Sequence, residues 1–256
     1  MRCDLATAPT AEAAELLRES AQKPFRRPIE VVPNGIAVDR FRPNVPVPDW
    51  RARCGLPNGP VLAYLGRLTE DKGIHRFLDA VEELAAERPV TALVGGVGPE
   101  EAAVRARLGK GRLAGIARYV GPVSEEEKPS FLAQSDLFVL PSVSDTASVA
   151  ALEAMASGAT CVTSDHGGLP DVVRDGITGR IAPLDPPGAL PRVLGELLDD
   201  PAERTRLARN ARDWVVRSAS LEAMARRFIS LYELVLAERG AHDRNGARGA
   251  AGARPT

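Results

Sequence analysis

Between residues 61 and 182, short apolar runs alternate with stretches whose apolar residues recur at helical spacing. The runs are VLAYLG from residue 61, VTALVG from residue 90, then segments 116–120, 137–140 and 160–163, and a weaker one at 180–182. Short, β-branched, almost unbroken apolar runs read as strands buried on both faces. Helical patterns separate them: 74–86, about 100–108, and a helix to Gln134 that opens with Ser124 and Glu127 spaced as a capping box. A strand, a crossover helix and a further strand in one sheet are parallel, and the crossover is right-handed. The expected fold is therefore α/β, a doubly wound parallel sheet of about six strands covered by helices on both faces. Further helices follow at 189–198, 201–217 and 220–238, the last with Met224, Phe228, Leu231 and Leu234 at helical spacing.

The ends of the chain fit this sheet less well. A strand near 3–8, a helix capped by Thr10 and running to Ser20, and a strand at 29–32 make a strand–helix–strand piece. Two strands cannot bury their own faces, so residues 1–33 read as the last part of something larger. Residues 34–60, rich in proline, asparagine and glycine, read as a linker. Residues 61–217 form the sheet domain, 218–239 a terminal helix, and 240–256 a tail rich in Gly, Ala and Arg that is expected to be disordered.

Charge and cysteine usage exclude several roles. A formal net charge of -1 leaves no broad electrostatic footprint for nucleic acid. No apolar run reaches the length of a membrane span, and the N-terminus lacks a signal-peptide core. Cys3, Cys54 and Cys161 are far apart and without metal-ligand spacing, so reduced thiols in the cytoplasm are expected, and no metal site.

A sheet of the Rossmann-like order 3-2-1-4-5-6 binds ligands beyond the carboxyl ends of strands one and four, where the strand order reverses. The loop after strand one carries Arg67 and Lys72. After strand four comes PSVSDTASVAALEAMASG, residues 141–158, with acids at Asp145 and Glu153 and a helix expected from Ser148. A helix N-terminus favours a phosphate. Arginine can fork onto diphosphate oxygens, lysine adds a mobile charge, and the acids can accept hydrogen bonds from sugar or ribose hydroxyls. Together these residues suit a nucleotide sugar. The same residues also fit an ordinary capped helix, with Arg67 and Lys72 pairing to Glu70 or Asp71. The turn Gly66-Arg67-Leu68 lacks the spaced glycines of a dinucleotide-binding loop, and the cluster Gly95–Gly98 reads as a turn. His166, His75, Trp50 and Trp214 read as loop or packing residues, and Asp171 as a helix-start acid.

The segments VVPNGIAVDRFRP, YLGRLTEDKGIHRFLDAVEEL, LVGGVGPE, VGPVSEEEKPSFLAQSDLFVLPS and ALEAMASGATCVTSDHGGLPDVVRDGITGRIAP run in one order from Val31 onward. In that order they resemble the retaining, metal-independent family 4 glycosyltransferases, and the chain resembles the C-terminal, donor-binding domain of their GT-B fold. The resemblance implies transfer of a hexosyl group from a UDP- or GDP-sugar, with no cofactor. It implies that Arg67 and Lys72 bind the diphosphate, that Asp145 sits by the sugar and that Glu153 sits by the ribose. Gly66 and the backbone N–H groups of Thr146, Ala147, Ser148 and Val149 would meet the donor, with Gly121 and Val123 along the nucleobase.

Two departures qualify it. Where the family has Glu-Gly-Phe-Gly, this chain has Asp145-Thr146-Ala147-Ser148, with a shorter acid and no glycines. The family's N-terminal acceptor domain is represented only by residues 1–33. The expected partners are thus a nucleotide sugar, an unknown acceptor, and a separate acceptor domain or a second copy of the chain, at a cytoplasmic or peripheral membrane location. A non-catalytic nucleotide-sugar-binding module derived from a truncated transferase is the alternative. A nucleotide-sugar epimerase of similar fold would also need both domains.

Overall fold

The structure is a computed structural model of the 256-residue chain; it describes residues 4–25, 27–45 and 49–251, the stretch 241–251 as backbone only. The chain opens with β1 (Thr7–Ala8), α1 (Ala11–Ser20) and β2 (Glu30–Val31). β1 and β2 pair in parallel, Thr7 with Glu30 and Ala8 with Val31. This is the strand–helix–strand piece that the sequence predicts; Cys3 lies outside the described residues.

After α2 (Trp50–Arg53) come β3 (Val61–Leu65), α3 (Ile74–Leu84), β4 (Thr91–Gly95), α4 (Glu101–Leu108), β5 (Ala117–Gly121) and α5 (Lys128–Ala133). They are followed by β6 (Leu137–Leu140), α6 (Val149–Ser157), β7 (Thr160–Thr163), α7 (Leu169–Val172) and β8 (Arg180–Ile181). The six strands β3 to β8 form one sheet in the order β5-β4-β3-β6-β7-β8, every pair parallel. Strand order reverses between β3 and β6, as in the Rossmann-like order 3-2-1-4-5-6. Each residue of β3, β4, β6 and β7 is buried, which is why these strands read as unbroken apolar runs rather than alternating ones. Phe77 on α3 and Phe131 on α5 are both fully buried in the main core with the strand residues. Burying a side chain of that size stabilises the fold by about 1.5–3 kcal/mol.

The segment 34–60 differs from a linker. Ile36, Phe41, Trp50 and Leu56 are all buried in the main core. Trp50 donates through Nε1 to Ser130 Oγ at 2.8 Å and meets Phe131 edge-on at 5.4 Å. Proline and glycine density marked the turns here but hid the apolar anchors between them. The Ser124–Glu127 turn forms, Glu127 N donating to Ser124 Oγ at 3.3 Å, but the helix starts only at Lys128.

Three helices close the fold: α8 (Ala189–Asp199), α9 (Pro201–Ser218) and α10 (Leu221–Ala251). Arg212 on α9 donates to the carbonyls of Phe41 and Ala156, a cation at the C-terminal end of α6. α10 runs past residue 239 to Ala251, through part of the expected tail; its Ala and Arg residues favour helix. Residues 252–256 lie outside the described residues. The apolar face of α10 is divided: Leu231 is buried, Phe228 half-buried, and Leu234 exposed. Ion pairs of Arg227 with Glu30, Arg27 with Glu238 and Arg239 with Asp4 tie α10 to the β1–α1–β2 piece.

Candidate functional site

Two loops meet at the carboxyl edge of the sheet where strand order reverses. The loop after β3 carries Gly66, Arg67 and a 3-10 turn, Glu70–Lys72. The loop after β6 runs from Pro141 to Ser148, the N-cap of α6. Hydrogen bonds sew them together. Val143 N donates to the Asp71 carbonyl at 2.8 Å, Ser142 Oγ to the same oxygen at 3.1 Å, and Ser144 Oγ to the Asp71 carboxylate. The bond from Ser144 holds the Asp71 carboxyl below its ordinary range, with the charges of Lys72 and Arg67 acting the same way. Beneath them, the buried Tyr64 phenol donates to the Arg67 carbonyl at 2.8 Å. Burial, then the charges of Asp145 and Asp71, push this phenol up, so it stays a protonated donor.

The cations behave differently from each other. Lys72 Nζ lies 3.1 Å from Asp145 Oδ2, with side chains only 12% and 16% exposed. It pairs neither with Glu70 nor with Asp71, and Asp145 is half-buried against a cation instead of standing free in the loop mouth. Arg67 is exposed, and among the described residues its guanidinium makes no hydrogen bond or ion pair. On the facing side, Ser148 Oγ accepts from Ala151 N at 3.2 Å and caps α6. The N–H groups of Thr146, Ala147, Ser148, Val149 and Ala150 have no acceptor among the described residues. An unpaired guanidinium thus shares a crevice with open amides at a helix N-terminus, a pairing suited to an anion.

Glu153 sits on α6, only 7% exposed, and among the described residues its side chain makes no hydrogen bond or ion pair. Burial pushes its carboxyl up; Lys128 and Arg40 pull it down, and Glu125 pushes it up further. An acid whose folded-state pKa is raised loses stability for the fold as pH rises from its ordinary value through the raised one. Glu153→Gln removes that loss. The variant is expected to melt a few degrees above wild type at about pH 8, the gap closing by about pH 4. Melting curves at both pH values check this, and an unchanged or widening gap in acid contradicts it.

Strands β3, β4 and β5 end in a close stack of glycines. Gly66 N donates to the Gly95 carbonyl at 3.2 Å, and Gly96 N to that of Gly121 at 2.9 Å. A side chain on Gly96 would strike the Gly66 carbonyl. This accounts for the cluster Gly95–Gly98 as loop packing at the carboxyl edge. Val123 follows Gly121 and is half-buried against the core.

The first thirty residues also reach this site, which no local pattern in the chain predicts. Thr10 Oγ1 donates to the Thr146 carbonyl at 2.8 Å and accepts from Ala13 N at 3.2 Å. Asp171 Oδ2 accepts from Glu12 N at 3.0 Å, so this acid serves α1 as well as its own helix. A Cβ on Gly168 would lie 2.9 Å from Thr10 Oγ1 and strike the Thr146 carbonyl. The N-cap signal at Thr10 and the Gly167-Gly168 doublet were visible in the sequence, but their meeting depends on the tertiary fold.

The remaining candidates are placed as loop or packing residues. His166 pairs with Asp165 at 2.8 Å and His75 with Glu100 at 2.8 Å. Trp214 packs against the core beneath Arg174. Cys54 and Cys161 are free thiols, and burial pushes both up. Among the described residues no three His, Cys, Asp or Glu side chains gather as for a metal ion, and no helix is long and apolar enough to cross a membrane. A cavity of about 400 Å³ lined by Trp50, Val61 and Asp136 opens at the amino edge of the sheet, away from this crevice.

Residues 47–214 match the family model described as glycosyl transferases group 1. The chain belongs to this family. It is 35% identical over 204 residues to D-inositol 3-phosphate glycosyltransferase of Streptomyces scabiei, covering 74% of this chain and 45% of the relative. It is 33% identical over 220 residues to 2-deoxystreptamine glucosyltransferase of Streptomyces kanamyceticus, covering 82% and 56%. The chain spans about half the length of the curated relatives it matches. Its sheet and flanking helices match GT-B structures: sucrose-phosphate synthase from Thermosynechococcus elongatus superposes with a TM-score of 0.79 at 26% identity, over 93% of this chain and 59% of that one. Anabaena HepE in complex with UDP-glucose gives a TM-score of 0.79 at 19% identity, over 90% and 64%, a likeness of fold.

Proposed function

We propose that this chain binds a UDP- or GDP-linked sugar and is the donor half of a retaining, metal-independent hexosyltransferase, with the acceptor side supplied by a further domain or partner chain. One observation carries the reading. The exposed Arg67 and the amides at the start of α6, all without a partner among the described residues, share the crevice where strand order reverses. A diphosphate there would be neutralised by a forked guanidinium and a helix N-terminus, and Arg67 and Lys72 would stabilise it as a leaving group. In this reading Asp145 would accept from a sugar hydroxyl and Glu153 from the ribose, while Gly121 and Val123 would border the base. The names of the relatives support sugar transfer, and the likeness to a fold solved with UDP-glucose supports this donor class. A thermal-shift panel on the intact chain tests it. UDP, GDP and their sugars at a hundred times Kd should raise Tm by about 5–10 °C, while nucleoside monophosphates and NAD should do much less. No shift with any diphosphate rejects the reading.

A second reading, a nucleotide-binding module without turnover, is favoured by two contacts: Asp145 is already engaged by Lys72, and the Thr146 carbonyl by Thr10. Binding without transfer or donor hydrolysis, even after Asp145→Glu and with an acceptor domain supplied, would select it.

A further inference from the structure

The Lys72–Asp145 pair lies inside the crevice assigned to the diphosphate, and its geometry bears on which ligand that crevice prefers. Lys72 Nζ contacts Asp145 Oδ2 at 3.1 Å and donates to the Ser144 carbonyl at 3.4 Å. Asp145 Oδ2 is itself buried and accepts no hydrogen bond among the described residues, so the ammonium charge is what offsets it. A diphosphate drawing on Lys72 therefore competes with a carboxylate for the same cation. Arg67, which has no such partner among the described residues, binds without that competition.

We propose that the Lys72–Asp145 pair makes Asp145 a specificity-determining residue that favours the sugar-bearing nucleotide over the free nucleoside diphosphate. This rests on the nucleotide-sugar reading of the site. Two effects act in the same direction. A terminal phosphate, with a second pKa of about 6, carries roughly one more negative charge at neutral pH than the same phosphate esterified to a sugar. That added charge meets Asp145 across a shared counter-ion, and like charges disfavour each other. A sugar hydroxyl, in contrast, can donate to Asp145 Oδ2 when Lys72 turns toward the phosphates, so the buried oxygen is not left unpaired. A free nucleoside diphosphate has no group to do this. The pair would thus help the spent nucleotide leave once its sugar has been transferred.

The test is titration calorimetry on the full chain with UDP, GDP, UDP-glucose and GDP-mannose, comparing wild type, Asp145→Asn and Asp145→Glu. Asparagine removes the charge at nearly constant shape and releases Lys72. Asp145→Asn should bind the free nucleoside diphosphate about tenfold tighter, roughly the effect of one neighbouring charge, and should gain less for the nucleotide sugar. The preference for the sugar-bearing ligand then falls by a comparable factor. Asp145→Glu keeps the charge and should keep the preference, which a purely structural role for the side chain would not require. Ligand-free melting of both variants confirms that they fold. Equal affinity ratios in wild type and Asp145→Asn overturn this proposal alone. Failure of wild type and variants to bind any of the four ligands overturns both it and the nucleotide-sugar reading.

Discussion

Arg67→Ala should weaken binding of UDP- or GDP-sugars by about 10- to 100-fold while leaving Tm unchanged. Each charge-assisted hydrogen bond to a phosphate contributes about 1.5–3 kcal/mol, and every 1.4 kcal/mol is about tenfold in Kd. A guanidinium forking onto two oxygens accounts for the upper end of the range. The fold owes this side chain little, since it is exposed and among the described residues makes no hydrogen bond or ion pair. What the loop needs from residue 67 is its carbonyl, which accepts from Tyr64, and alanine retains it. Calorimetry and melting curves on one preparation separate the two effects. A fall in Tm with unchanged affinity would place Arg67 in the structure and remove it from the site.

Gly73→Ala should be among the most damaging single substitutions in the chain. Gly73 has φ 74°, a left-handed conformation, and joins the 3-10 turn bearing Lys72 to α3. A Cβ there would run into the Pro141 carbonyl, and so into the start of the loop that leads to Asp145. Left-handed strain costs alanine about 1–2 kcal/mol, and overpacking typically adds about 1–3 kcal/mol. At about 2–4 °C per kcal/mol, Tm should fall by roughly 4–20 °C. Gly176→Ala is the control. Gly176 has φ 66° but nothing within 4 Å of its would-be Cβ, so it should show the strain alone. If both variants lose the same amount, contact with Pro141 is not what fixes the loop.

The sheet was legible because burial on both faces leaves an unmistakable local mark, an unbroken apolar run such as VLAYL or LFVL. The strand order was that of a Rossmann-like sheet, and it gave the position of the crevice. Arg67, Asp145 and the cap at Ser148 were then placed by counting from strand ends. The partners were not legible. Lys72 could be matched to a nearby acid by spacing, yet it pairs with Asp145, 73 residues away in sequence, across two loops that meet only in the folded chain. Thr10 gave a clear N-cap signal for α1, but its second bond, to Thr146, spans 136 positions. Residues 34–60 show the opposite error. Their turns were conspicuous, and the burial of Phe41 and Trp50 between them was not. Local chemistry is written along the chain, and long-range pairing is a property of the packed molecule.

Whether the crevice holds a nucleotide sugar with arginine and lysine in place of a metal ion is decided by calorimetric titration of the intact chain with UDP-glucose and GDP-mannose, each with EDTA present. One donor should bind at one site per chain, with the same affinity with and without added magnesium. No binding of either donor, or binding that appears only when the metal is restored, would contradict it.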